Sequence, residues 1–223
     1  MCPAVRNPFG LTVGGEGARG SGVTWLQPID RAPDNDIGSG FGQSWAICPA
    51  LQLNSVVSRK VHGSAGTFDI NLSLTGTRGV ECRAPGNTGT PGADYKMVFT
   101  FSTPVASCGT ASNETLVRGP NQDQCSVNLA GLANAQYSSV TLTGVVSATG
   151  APLNVTGTMG LLVGDVNASG IVTSGDTNLC KAQALQQVTA SNFRNDINAS
   201  GAITTGDVNL IKQHALEQLP TTP

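Results

Sequence analysis

The C-terminal part of this chain is written twice. Residues 165 to 187 realign on residues 196 to 218 with a period of 31, and Asp165, Asn167, Ala168, Ser169, Gly170, Thr173, Gly175, Asp176, Asn178, Leu179, Lys181, Ala184, Leu185 and Gln187 each recur identically one period later. A fixed period of this size marks one supersecondary unit built twice, the two copies burying their apolar faces together. In each copy a polar Asp-Xaa-Asn-Xaa-Ser-Gly run precedes an apolar helical start, Leu179 and Cys180 in the first, Leu210 and Ile211 in the second. Each copy therefore reads as a loop followed by a short helix.

Asp, Asn, Ser and Gly all favour turns, so one such run would be ordinary turn chemistry. Two copies at fixed period point instead to a metal. Calcium is a hard cation that takes six to eight oxygens, and a 12-residue loop supplies them from positions 1, 3, 5, 7, 9 and 12 with a glycine at 6. The first loop places Asp165, Asn167, Ser169, the carbonyl of Ile171, Thr173 and Asp176 at those positions, and the second places Asp196, Asn198, Ser200, the carbonyl of Ala202, Thr204 and Asp207. Gly170 and Gly201 fill position 6, while apolar Val172 and Ile203 at position 8 suit a short β-bridge between the loops. The expectation is two calcium ions, one per loop. With a neutral serine at position 5, each loop has two carboxylates, which favours a weak site filled at extracellular rather than cytosolic calcium levels.

Gly164-Asp165-Val166-Asn167-Ala168-Ser169-Gly170 and Asn195-Asp196-Ile197-Asn198-Ala199-Ser200-Gly201, each closing on Asp rather than Glu at position 12, resemble the loops of type I dockerins. The likeness covers roughly residues 163 to 219. It implies a calcium-folded, three-helix, pseudo-twofold module that docks on a β-sandwich partner, the cohesin. The family's recognition positions fall here on Ser174, Gly175 and Lys181 in the first copy and on Thr205, Gly206 and Lys212 in the second.

Upstream the pattern changes. Ser55–Val61, Thr67–Leu74, Lys96–Phe101, Gln124–Leu129, Ser138–Val146 and Leu153–Met159 are short β-type runs separated by turn residues. Several alternate with period two, as in Phe99-Thr100-Phe101 and Val140-Thr141-Leu142-Thr143, which is the mark of a half-buried strand. The fold expected is mainly β: an antiparallel Ig-like or cohesin-like β-sandwich over residues 51–160, preceded by a Gly-rich N-terminal extension over 1–50 and followed by a small all-α dockerin-like module over 161–220. The extension reads either as extra strands on the sandwich or as an assembly arm. Ser58-Arg59-Lys60-Val61-His62-Gly63 and Glu81-Cys82-Arg83 look similar to sandwich modules that precede dockerin-like tails in large secreted bacterial proteins.

The six cysteines show no Cys-Xaa-Xaa-Cys spacing and have two histidines for company, which favours disulfides over zinc. Cys108 with Cys125 is the first candidate pair, because a bond there closes a polar loop between two strand-like runs; Cys2 with Cys48 is the second. Cys180, at an apolar helix position, also reads as a buried free thiol. Asn71, Asn113 and Asn154 begin glycosylation sequons.

A net charge of -2 without a basic cluster excludes a phosphate-backbone footprint. No apolar run reaches membrane-spanning length. No catalytic signature joins His62 or His214 to a nucleophile; Asp34, Asp36 and Asp69 are the acids that the alternative, a carbohydrate-active enzyme or accessory module with glycans as partners, would use. Taken together the chain reads as a secreted bacterial, non-enzymatic, calcium-stabilised structural or adhesion protein. Its partner would be further copies of itself, head to tail in filaments, or a separate cohesin-like scaffold.

Overall fold

The computed structural model describes residues 50–112, 114–148 and 150–221. Cys2, Cys48, Asp34, Asp36 and Asn113 lie outside the described residues, as does the N-terminal extension up to residue 49.

Ten strands come first: β1 (Leu53–His62), β2 (Gly66–Asn71), β3 (Val80–Glu81), β4 (Tyr95–Phe101), β5 (Val105–Ser107), β6 (Thr110–Ala111), β7 (Thr115–Arg118), β8 (Gln124–Leu129), β9 (Gln136–Ser147) and β10 (Leu153–Leu161). They form two sheets, one in the order β2-β1-β4-β8-β7 and the other β3-β10-β9-β5, with β6 also pairing β9. The inward positions of both sheets, among them Val56, Met97, Phe99, Phe101, Val127, Leu129, Val140, Leu142, Met159 and Leu161, close over one apolar core. Gly157 sits where this packing is tightest: a Cβ there would come within 3.0 Å of Val56, Met97 and Phe99 on the facing sheet. The fold is a β-sandwich.

Every pair in the first sheet is antiparallel, but β3 runs parallel to β10, with Val80 opposite Gly160 and Glu81 opposite Leu161. The second sheet is therefore mixed, which corrects the fully antiparallel expectation. The physical reason is a crossover: after β2 the chain leaves the first sheet and enters the second alongside the end of β10. A two-residue strand carries no period that sequence could display.

The C-terminal module holds two α-helices, α1 (Ser174–Gln183) and α2 (Thr205–Gln213), and between them a single 3₁₀ turn at Phe193–Asn195. A three-helix, all-α module was expected. The middle helix shrinks to one turn because Asn192 takes local backbone groups, accepting the Thr189 amide at 2.7 Å and donating to the Gln187 carbonyl at 3.0 Å. A side chain that bonds the backbone in this way competes with helix formation. Two isolated β-bridges, Ile171 with Gln218 and Gln187 with Ala202, tie the repeats to each other.

Val163, Val166, Val172, Cys180, Ile197, Ile203, Val208 and Ile211 form the module's core, which continues into the sandwich through Val80 and Leu162. Phe193 packs against both cores and stacks on Phe68, ring centroids 5.2 Å apart. Sandwich and module thus share one compact unit, from Pro49 onward.

Candidate metal centre

Each helix begins where its loop ends. Thr173 caps α1 with its hydroxyl and Asp176 returns a bond to the Thr173 amide; Thr204 and Asp207 do the same for α2. This reciprocal capping box satisfies amides that the first helical turn leaves without partners. It also fixes the position-12 carboxylates. Asp176 Oδ1 accepts the Asn167 amide at 3.3 Å and Oδ2 the Thr173 amide at 2.9 Å, while Asp207 accepts those of Asn198 and Thr204 at 3.2 and 2.8 Å.

From the other end of each loop the position-1 carboxylate reaches the same space. Asp165 accepts the amides of Ser169 and Gly170, and Asp196 those of Ser200 and Gly201. Asn167 and Asn198 point their Oδ1 at the same serine amides at 3.0 Å, and the serine hydroxyls lie 3.0 and 3.2 Å from the carbonyls of Ile171 and Ala202. Ala168 and Ala199 take left-handed backbone, with φ of 58° and 50°, to make this tight wrap.

All four aspartates are buried. Burial, and secondarily the charge of Asp176, push the Asp165 carboxyl above its ordinary value against the pull of the Gly170 and Ser169 amides. Two buried carboxylates sharing one loop without a cationic side chain between them are destabilising unless a cation neutralises them. The donor set, all oxygen and two-thirds neutral, suits a hard divalent ion. Among the described residues no three His, Cys, Asp or Glu side chains gather as a metal cluster, in keeping with two acids per loop.

Ser174, Gly175, Lys181, Thr205, Gly206 and Lys212, the positions expected to serve recognition, are all exposed. Cys108 and Cys125 form the expected disulfide. Cys180 is a buried free thiol and so is Cys82, and burial pushes them up to about 12 and about 11. Asn71 and Asn154 are exposed. His214 meets Glu217 at 3.1 Å, whereas His62 is fully buried.

Residues 163–216 match the family model of the dockerin type I domain. The C-terminal module is a type I dockerin. Type I dockerins bind calcium and dock on cohesin-type partners, and they are typically parts of extracellular bacterial proteins. No curated protein and no solved structure matches the chain. No helix among the described residues is long and apolar enough to cross a membrane.

The dockerin packs against the sandwich through its second loop and the 3₁₀ turn before it. The Ala84 amide donates to the Ile197 carbonyl at 2.7 Å, and the Asn87 side chain to the Asn198 carbonyl at 2.7 Å. Arg194 ties the first loop to β3, donating to the carbonyls of Val166, Asp165 and Val80. Behind them lies a buried polar row of Ser58, Glu81, Arg83 and His62. Sequence reasoning missed this row, although its signal was present: Ser58, Lys60 and His62 continue the inward register of Val56 along β1, so polar groups occupy core-facing positions. Such positions stay polar only where a polar partner covers them.

Proposed function

We propose that this is a secreted, non-catalytic docking protein whose dockerin binds two calcium ions and tethers the chain to a cohesin-type β-sandwich. Asp165, Asn167, Ser169, the Ile171 carbonyl, Thr173 and Asp176 would hold the first ion, and Asp196, Asn198, Ser200, the Ala202 carbonyl, Thr204 and Asp207 the second. The ions neutralise the paired carboxylates and fix the starts of α1 and α2. They act structurally.

One observation carries the docking reading. The chain's own sandwich packs on the dockerin around the second loop, at Asp196, Ile197 and Asn198, yet Ser174, Gly175, Lys181 and their counterparts Thr205, Gly206 and Lys212 all remain exposed. The sandwich therefore serves as a rigid mount that presents the helix starts outward. Of the acids an enzyme reading would use, Asp69 is held at both oxygens by Arg59, at 2.7 and 2.6 Å, which leaves it poorly placed as a general acid.

The test is calorimetric titration of the chain with a panel of type I cohesins, in millimolar calcium and again after chelation. Calcium-dependent binding that weakens on Lys181→Glu with Lys212→Glu supports the reading; no binding to any cohesin in calcium counts against it. Light scattering of the chain alone decides the head-to-tail variant, in which the sandwich met is that of a second copy. A monomer at every concentration, with calcium present, eliminates self-assembly.

A further inference from the structure

The two loops are near copies, so a bond made by one and not the other is informative. The position-1 carboxylates agree closely: Oδ1 of Asp165 accepts the Ser169 amide at 2.9 Å and Oδ2 the Gly170 amide at 2.8 Å, against 3.0 and 2.8 Å for Asp196 with Ser200 and Gly201. One contact breaks the symmetry. His62 Nδ1 lies 2.8 Å from Asp196 Oδ2, with both side chains fully buried, whereas among the described residues the Asp165 carboxylate accepts only from its own loop.

The direction of that bond follows from the other side of the ring. Arg83 Nη1 lies 3.1 Å from His62 Nε2, and a guanidinium can only donate. Nε2 is therefore the acceptor, the ring proton sits on Nδ1, and the imidazole donates to Asp196. Arg83 is itself fixed, forked onto Glu81 through Nε at 2.8 Å and Nη2 at 2.7 Å and donating to the carbonyls of Phe68 and Ser58 at 2.9 Å each. Phe68 and Phe193 meet the imidazole edge-on at 5.2 and 5.9 Å. The ring has neither a free rotation nor a free nitrogen.

We infer that His62, a residue of the sandwich, is a positioning residue for the second dockerin loop alone, and that ion binding in that loop is thereby coupled to the packing of sandwich on dockerin. The inference rests on the calcium reading above. An outer donor that holds a ligand carboxylate removes the cost of orienting it when the ion arrives, an effect typically worth about 10–100-fold in metal affinity. The first loop gains nothing from it. Coupling of this kind is reciprocal, so an ion in the second loop must also strengthen the interface.

The experiment uses the full chain and calcium chloride in a calorimeter. Asp165→Asn disables the first loop and leaves the second to be read; Asp196→Asn does the reverse. Adding His62→Val is expected to weaken binding about 10–100-fold in the Asp165→Asn chain and to leave the Asp196→Asn chain unchanged. His62→Asn, whose amide keeps a donor near the Nδ1 position, is expected to recover most of the loss. Equal weakening in both backgrounds, or none in either, overturns the inference while leaving the calcium reading intact. A wild-type chain that takes up no calcium overturns that reading itself. Should His62→Val fail to fold, reciprocity supplies the test without it: calcium must slow hydrogen exchange at the Ala84 amide in the Asp165→Asn chain and not in the Asp196→Asn chain, and equal slowing in the two overturns the coupling.

Discussion

Leu185 and Leu216, one repeat period apart, both occupy left-handed backbone, with φ of 68° and 70°, and each donates its amide to the opposite repeat. Leu185 bonds the Ile203 carbonyl and Leu216 the Val172 carbonyl, both at 2.9 Å. These crossed bonds close the dockerin's pseudo-twofold. Neither side chain benefits the fold, since they are 91% and 80% exposed. A left-handed conformation costs an L-residue about 1–2 kcal/mol, and glycine avoids it at some entropic cost of its own.

Leu185→Gly is therefore expected to leave stability unchanged or raise it by up to about 1 kcal/mol, read from urea denaturation in calcium. A clear loss would show that the side chain is used within the fold. If the two leucines belong to the docking face, the same variant weakens cohesin binding while the chain itself becomes no less stable.

Calcium removal gives the second prediction. Each loop holds two buried carboxylates, Asp165 with Asp176 and Asp196 with Asp207. An ion that binds only the folded loop adds stability by mass action, about 2.7 kcal/mol at a hundredfold excess over its dissociation constant. Chelation is expected to lower the melting temperature and to accelerate hydrogen exchange in α1 and α2 more than in β4 and β8. Uniform exchange across the chain before and after chelation would contradict a local role for the metal.

Much of this was legible in the sequence, and the reason differs by region. The loops could be assigned because their donors sit at fixed intervals, and the long strands because alternation is visible over five or more residues, as in Tyr95–Phe101 with its buried Tyr95, Met97, Phe99 and Phe101. β3, β5, β6 and β7 escaped because two to four residues show no period. His62 escaped for another cause. Its partner Asp196 lies 134 residues away, and no local pattern records which distant group covers a polar residue at the end of a strand. The disulfide between Cys108 and Cys125 was within reach because both its ends flank one loop.

Glu81 supplies a pH dependence. Burial pushes its carboxyl up, but the adjacent Arg83, then Lys60 and Ser58, outweigh this and bring it down to about 2 from an ordinary value of 4.5. Between those values the unfolded chain binds more protons than the folded one, so stability rises with pH across the window. The contribution is complete above about pH 4.5 and is lost as pH falls toward 2. For this buried pair the loss is on the order of 3 kcal/mol, and acid denaturation followed by circular dichroism should show it. Glu81→Gln flattens the dependence and lowers stability at neutral pH, because Arg83 is then a buried charge without its counterion. A variant as stable as wild type at pH 7 would mean that the Ser58–Glu81–Arg83–His62 row bears little of the interface.

Gly63 and Gly201 bring the two backbones together at this same junction. Gly63 has φ of 47°, and a Cβ there would overlap the Ser200 carbonyl oxygen; a Cβ on Gly201, at φ of 93°, would stand 2.8 Å from the His62 carbonyl oxygen. The obstructing atoms are backbone, so no side-chain rotation relieves them, and the second loop would have to move away from β1. Gly63→Ala is expected to cost about 1–3 kcal/mol and to lengthen the distance between His62 and Asp196 without disturbing the sandwich core around Phe99. Gly66 offers the control: its φ of 116° with ψ of -166° is at least as unfavourable for alanine, but nothing lies within 4 Å of its Cβ position. Gly66→Ala therefore carries the conformational cost without the collision. If hydrogen exchange at the Ala84 amide accelerates in Gly63→Ala and not in Gly66→Ala, close backbone approach holds dockerin to sandwich; equal behaviour of the two variants would assign the whole effect to local strain.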